Sequence, residues 1–441
     1  MNDPYFQQLF ADRIGGAGYG KGTEIYKFEK IKRAKRQALA EHPERRLIDF
    51  GIGENDAMAD PLVRARMKEE IDRPENRGYA DNGIQAFKDA AAAFMKRQFG
   101  VELDPATEVN HAIGSKPALA MLPACFINPG DVTLMTVPGY PVAGTHTRYC
   151  GGEVHRLPLR EENGFLPDLD TVPSEVRRRA KLLVLNYPNS PTGAVAGEAF
   201  FRRVIEFARE NDLVVVHDAA HLLLTYEGRP LSFLAVPGAK EVGVEVHSLS
   251  KGFNMIGWRI GWVCGHERIV RAFADVKDNC DSGQFIAIQK AAVTALEHPE
   301  IADATRAKYR RRLEKLIETL KSVGWGGATG SAASGEGATG GLSASVPTTG
   351  RQAAGAALRM PGGTYFLYVR APKGVHGGPA FETAEAAAQY LITQHSIVTV
   401  PWDDAGAYLR FSVTYEAADD AAEDELMEET ARRFDVARLL F

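Results

Sequence analysis

The chain runs to 441 residues, 45% of them hydrophobic, with 52 lysines and arginines against 57 acids and a formal net charge of −5. That length supports one large domain plus a smaller one with ample core, and the near balance of charge implies no basic face, so nucleic acid is not an expected partner. Cys125, Cys150, Cys264 and Cys280 form neither a C-x-x-C pair nor a ligand spacing, which argues against a structural metal and for a reducing, cytoplasmic compartment.

The opening "MNDPYFQQLFADRI" carries acids and no apolar core, and no apolar run approaches the length of a bilayer span, so neither a leader nor a membrane segment is expected. A glycine-rich arm then leads into an amphipathic helix in "GTEIYKFEKIKRAKR". "AIGSKPAL" (112–119) opens a helix whose backbone N–H groups and Ser115 hydroxyl suit an anion. "DVTLMTVP" (131–138), "AKLLVLNYP" (180–188), "DLVVVHDAA" (212–220) and "VGVEVHSLS" (242–250) are short, β-branched runs, mostly separated by helix-length segments such as "GEAFFRRVIEFARENDL". This is the pattern of a parallel sheet with crossover helices. "IGWRIGWV" (256–263) reads as a further short strand, which would hold Lys251 between two buried strands.

Past residue 300 the pattern changes. "KYRRRLEKLIETLKSVG" (308–324) is a charged amphipathic helix, and the alternating strands "TYFLYVRAP" and "AYLRFSVTY" flank the helical "FETAEAAAQYLITQ". The expected fold class is therefore α/β: a large domain with a mostly parallel sheet flanked by helices, plus a smaller α+β domain. Residues 1–65 are assigned to an N-terminal arm and part of the small domain, 66–305 to the large domain and 306–441 to the small one. Within the last, 325–357 is rich in Gly, Ala, Ser and Thr, has little to bury and reads as a flexible surface excursion.

In parallel sheets ligands gather beyond the carboxyl ends of the strands. Pro138 to Tyr140, Asn186 to Gly193, Asp218 and Ser248 to Lys251 all fall there. Singly these features are ordinary: "YPNSPTGA" is a rigid turn, Asp218 suits a helix cap as well as a ligand, and most lysines are solvated. Together they supply a lysine for an aldehyde, a buried carboxylate for a basic ring nitrogen, and Ser115, Ser248 and the Arg259 fork for a phosphate. That set describes pyridoxal 5′-phosphate.

With "SLSK", Arg259 eight residues on, "NSPTG", "DAAH", "PGYP" and "YLRFS", the sequence resembles the class I/II aminotransferases of fold type I over nearly its whole length, the excursion aside. The resemblance implies that Lys251 bonds the cofactor aldehyde and shuttles the substrate proton. Asp218 pairs with the ring nitrogen, and Tyr140 stacks on the ring. Ser115, Ser248 and Arg259 bind the phosphate, with Ser250 assisting. Arg410 clamps the substrate α-carboxylate, and Tyr79 reaches the neighbouring subunit's cofactor, which implies a homodimer with shared sites. Two positions depart from the family. Ser190 stands where it usually has asparagine, with Asn189 one residue earlier, and His221 replaces a tyrosine. An imidazole there leads to the expectation of a cofactor bond more sensitive to acid than usual.

A narrower resemblance comes from "FADRIGGAGYGKGTEIYKFEKIKRAKR", "IDFGIGENDAMAD" and "GSKPAL", which look like the LL-diaminopimelate aminotransferases of lysine biosynthesis. It implies that Tyr19 or Tyr26, Gly53 and Lys116, together with Asp81 of the neighbouring subunit, recognise the far end of the substrate. Lys116 also stands in the turn beside the phosphate ligands. The partners implied are small amino and keto acids. The rival readings are an aspartate or aromatic aminotransferase of the same fold, and a regulator that merely holds the cofactor.

Overall fold

The computed structural model describes residues 4–21, 27–326 and 358–441. Tyr26 and residues 327–357 of the expected excursion lie outside the described residues.

Seven strands form the central sheet: β1 (Val109–Ala112), β2 (Val132–Val137), β3 (Glu153–Pro158), β4 (Ala180–Asn186), β5 (Val214–Asp218), β6 (Gly243–Ser248) and β7 (Gly261–Gly265). Their order is β1-β7-β6-β5-β4-β2-β3, and β7 alone runs against the rest. Apart from the edge strand β3, which exposes Glu153, Arg156 and Pro158, the strands are largely buried on both faces because helices cover both. Leu183, Leu185, Val215, Trp262 and Cys264 face one core, with Phe94 and Phe201. Leu182, Val184, Val216, Val246 and Val263 face the other, with Leu119, Leu122 and Phe273. The helix Glu198–Glu210 shows how sequence does this: Phe201, Val204, Ile205 and Ala208 recur at i, i+3, i+4 and i+7 and are all buried.

The expected strand from Ile256 is not formed as read. Residues 256–260 make a turn, with Arg259 at φ +56°, and β7 starts only at Gly261. Lys251 consequently sits not between two strands but on the one-turn helix Leu249–Gly252, where the chain reverses before returning through β7.

A smaller three-stranded antiparallel sheet joins β8 (Phe366–Arg370), β9 (Val400–Trp402) and β10 (Tyr408–Ser412) in the order β9-β10-β8. Its core takes Leu313, Leu316 and Leu320 from the helix Glu300–Ser322. That helix starts eight residues before the segment read from sequence, where Ala302 and Thr305 already point inward. Trp325 belongs to this core as well. It is 3% exposed and packs on Phe411, Phe434 and Phe441, so the excursion cannot begin there. The N-terminal segment is tied in by charge: the buried Arg312 donates to Glu423 Oε1 at 2.5 Å and to Asp56 Oδ2 at 3.1 Å. Breaking one member of such a buried set leaves the others uncompensated, at a cost of about 3–5 kcal/mol. Among the described residues no helix is long and apolar enough to cross a membrane.

Candidate active site

Parallel strands β4, β5 and β6 end side by side, with Asn186 opposite Asp218 and Asp218 opposite Val246. The alternating pleat turns Asp218 toward a small cavity that it lines with Tyr140, Asn186, Thr136 and Leu119. Asp218 is 5% exposed, and burial pushes its carboxyl up to about 6 despite the Ala220 N–H it accepts at 3.1 Å and the charges of His217, His247 and Lys251. A buried acid so placed gains most from a cationic partner. Asn186 steadies the junction, donating to Asp218 O at 3.0 Å and accepting from Ser190 N at 2.8 Å.

Lys251 lies one turn beyond Ser248, which caps its short helix by accepting from Ser250 N at 3.1 Å. The Lys251 ammonium donates to Gly53 O at 3.1 Å, and Tyr365 OH donates to the same oxygen at 2.7 Å. Asn55 Nδ2 holds the Lys251 carbonyl at 2.7 Å. On the other side of Gly53, Arg410 rises from β10, donates to Gly51 O at 2.8 Å and lies 4.2 Å over the Phe366 ring. Burial pulls the Arg410 guanidinium down to about 10, its Nε is buried without a partner, and it makes no ion pair with any described residue. An anion would satisfy both deficits. Gly53 lies against this place: a Cβ there would meet Phe366 at 3.6 Å and the guanidinium at 3.9 Å, in van der Waals contact with both.

Phosphate chemistry is gathered at the opposite end. The helix Ser115–Phe126 begins just after Gly114, whose φ of +82° only glycine adopts freely. A Cβ on Gly114 would fall 2.3 Å from the Arg259 guanidinium, so that group lies against bare backbone. Arg259 also donates to Ser250 Oγ at 3.3 Å, and Ser248 and Ser250 are buried beside it. A helix N-terminus, an arginine and hydroxyls in one place form an anion cradle.

The two departures from the family are resolved in part. Asn189 is wholly buried, and its Oδ1 is taken up by Thr192 N and Oγ1 at 3.1 and 2.8 Å, so its side chain shapes the turn; Nδ2 is left buried without a partner. Ser190 is only half-buried. His221 packs edge-on to Tyr365 at 5.4 Å, and burial, with the Lys251 and Arg410 charges, holds its pKa well below the usual imidazole range. Burial thus works against the expected acid sensitivity, because it disfavours the charged imidazole. Its Nδ1 is buried without a hydrogen-bond partner.

Other expected residues are not drawn to this centre by the chain alone. Tyr79 is 85% exposed, and Lys116 is exposed on the first turn of its helix. Tyr19 is 47% exposed and packs on Phe10 at 4.5 Å. Asp81 is exposed and engages Lys277 only through its backbone carbonyl. Conversely, Tyr365, Phe366 and Asn55 escaped the sequence reading. "GGTYF" offered one signal, since two glycines before Thr364, at φ +70°, mark a turn that delivers the next two rings.

Residues 45–428 match the family model of aminotransferase class I and II. The chain is 52% identical to an LL-diaminopimelate aminotransferase of Methanocaldococcus jannaschii and 51% identical to one of Methanococcus maripaludis, each over the full length of both proteins. Among solved structures it is similar to substrate-bound BacF of Bacillus subtilis, with a TM-score of 0.81 at 29% identity, covering 98% of each chain. The family works with pyridoxal 5′-phosphate. The site fits that group: a buried acid for the ring nitrogen, an anion cradle, an imidazole nitrogen unpartnered among the described residues and an amine whose only hydrogen-bond partner among them is a carbonyl. With the motif set, the sheet and this donor arrangement in agreement, the chain belongs to the class I and II aminotransferases.

Proposed function

We propose that the chain transfers an amino group from glutamate to tetrahydrodipicolinate, releasing 2-oxoglutarate and giving LL-2,6-diaminopimelate, a step of lysine biosynthesis. The observation that carries the reading is the meeting of Lys251 and Arg410 on one strip of backbone, at the carbonyls of Gly53 and Gly51. An amino acid whose α-carboxylate takes the Arg410 fork is thereby held with its α-carbon toward the Lys251 amine. The full-length likeness to relatives named for LL-diaminopimelate selects among amino acids.

When bound, the cofactor supplies the electron sink that lets the α C–H bond break. Lys251 Nζ takes that proton and returns it, the same amine serving both half-reactions. Asp218 keeps the ring nitrogen protonated, because its own ionised form needs the cation. Ser115, Ser248, Ser250 and Arg259 would hold the phosphate, and Tyr140 would stack on the ring. His221 would meet the ring oxygen together with Ser190 or with Asn189, whose Oδ1 is engaged in its turn but whose Nδ2 remains a buried donor. The active unit is a cytoplasmic homodimer in which exposed Tyr79 and Asp81 serve the neighbouring site. Lys116, Gly53 and Tyr19 or Tyr26 meet the distal ammonium and carboxylate, so a substrate lacking either leaves a polar group unpaired. Residues 66–305 form the large domain and 1–65 with 306–441 the small one; the two cores follow this division except that Ala59 and Val63 join the first and Leu224 and Tyr226 the second.

The test is incubation of the purified protein with LL-diaminopimelate and 2-oxoglutarate, following glutamate and tetrahydrodipicolinate trapped with o-aminobenzaldehyde, with Lys251→Ala as the blank. Both products are expected from the intact protein alone. Their absence, while glutamate or aspartate still shifts the yellow cofactor band, would move the substrate to an ordinary amino acid.

A further inference from the structure

Arg259 reaches the anion cradle from a backbone that few arginines adopt, with φ at +56°. Something must hold it there. The peptide carbonyls of Trp258 and Arg259 both accept from Gln284 Nε2, each at 2.7 Å. Gln284 is 9% exposed and comes from the loop before the helix Ile286–Glu297. Its Oε1 lies 2.9 Å from His111 Nε2. An amide oxygen only accepts, so His111 carries its proton on Nε2, and burial, which pulls that ring down to about 4, keeps it neutral. The amide is thus oriented from one end and grips two carbonyls with the other.

The support extends further. Gln289 Nε2 donates to Gln284 O at 2.8 Å, while Gln289 Oε1 accepts from Ile84 N at 2.8 Å. Gly83 sits at φ +87° directly on His111, where a Cβ would fall 2.3 Å from the His111 Cβ. Ala80 bridges to Gly283, next to Gln284. One buried set of amides and an imidazole therefore connects the Arg259 turn to the loop that carries Tyr79.

We propose that Gln284 is a positioning residue for the cofactor-phosphate clamp, fixing the Trp258–Arg259 turn so that the Arg259 guanidinium lies against Gly114 and Ser250. It touches no reacting atom and acts only through Arg259. The proposal rests on the reading of Arg259 as the phosphate ligand, and the experiment separates the two.

Full-length protein stripped of cofactor is titrated with pyridoxal 5′-phosphate and, separately, with pyridoxal, which lacks the phosphate. Gln284→Leu removes the amide, and Gln284→Glu keeps its shape without the N–H donors. Both are expected to weaken pyridoxal 5′-phosphate binding roughly ten-fold, as for carbonyls left without a donor, with pyridoxal binding unchanged. Preserved pyridoxal binding also reports that the variants fold. In an Arg259→Ala background, Gln284→Leu should add nothing. Equal weakening of both ligands, or additive losses in the double variant, would overturn the proposal. An Arg259→Ala protein that keeps its full preference for the phosphorylated ligand would instead overturn the reading of Arg259.

Discussion

Asp218 is the residue at which function and folding stability pull apart. In the cofactor-free chain its carboxyl is pushed up to about 6 from an ordinary 3.8, chiefly by burial. A carboxyl raised on folding favours the folded state while it is protonated, and that advantage is lost as pH rises from its unfolded value through the folded one. By linkage the loss reaches about 2 kcal/mol at pH 5 and about 3 kcal/mol by pH 8. Asp218→Asn removes the ionisation and keeps an acceptor for the Ala220 N–H. The stripped variant should thus be more stable than the stripped parent in urea unfolding at equal protein concentration, by more at pH 8 than at pH 5. Adding pyridoxal 5′-phosphate should reverse the ranking, since only the parent gains a charged pair with the ring nitrogen. A variant no more stable than the parent at pH 8 without cofactor would refute the reasoning, and with it the view that this acid is held at a cost until the ring arrives.

Two further outcomes follow from the site. Arg410→Lys replaces a planar fork with a point charge, so kcat/KM should fall roughly 30-fold or more for glutamate and diaminopimelate alike; a loss confined to one substrate in single-turnover measurements would place the shared carboxylate elsewhere. His221→Gln should leave the acid limb of the cofactor's spectrophotometric titration where it is between about pH 6 and 9, because burial already keeps the ring neutral. A displaced limb would show that the imidazole titrates after all.

Much of this was legible in the sequence for definite reasons. β4, β5 and β6 are short β-branched runs with covered faces, and period and composition are enough to find such strands. Lys251, Asp218 and Arg259 follow from motif spacing along neighbouring segments. What escaped depends on distant segments meeting. Tyr365 joins Lys251 from over one hundred residues downstream, and Gly53, though expected near the substrate, meets the Lys251 amine through its carbonyl from about two hundred upstream; no local pattern announces such an encounter. Trp325 misled because its neighbours are small and polar, whereas its own ring was recruited by Phe411 and Phe434. The turn at Arg259 was read as strand because its residues are apolar; periodicity carries no information about a positive φ.

The strip from Gly51 to Gly53 has an implication for how such a protein diversifies. The amine and the carboxylate clamp are both registered on main-chain oxygens, with side chains only filling the space around them. The spacing between a substrate's reacting carbon and its carboxylate is therefore set by peptide geometry, which point substitutions barely alter. Substitutions can retune what lies at the far end of the molecule, but converting this scaffold to substrates whose carboxylate sits one carbon further away would require rebuilding the backbone itself.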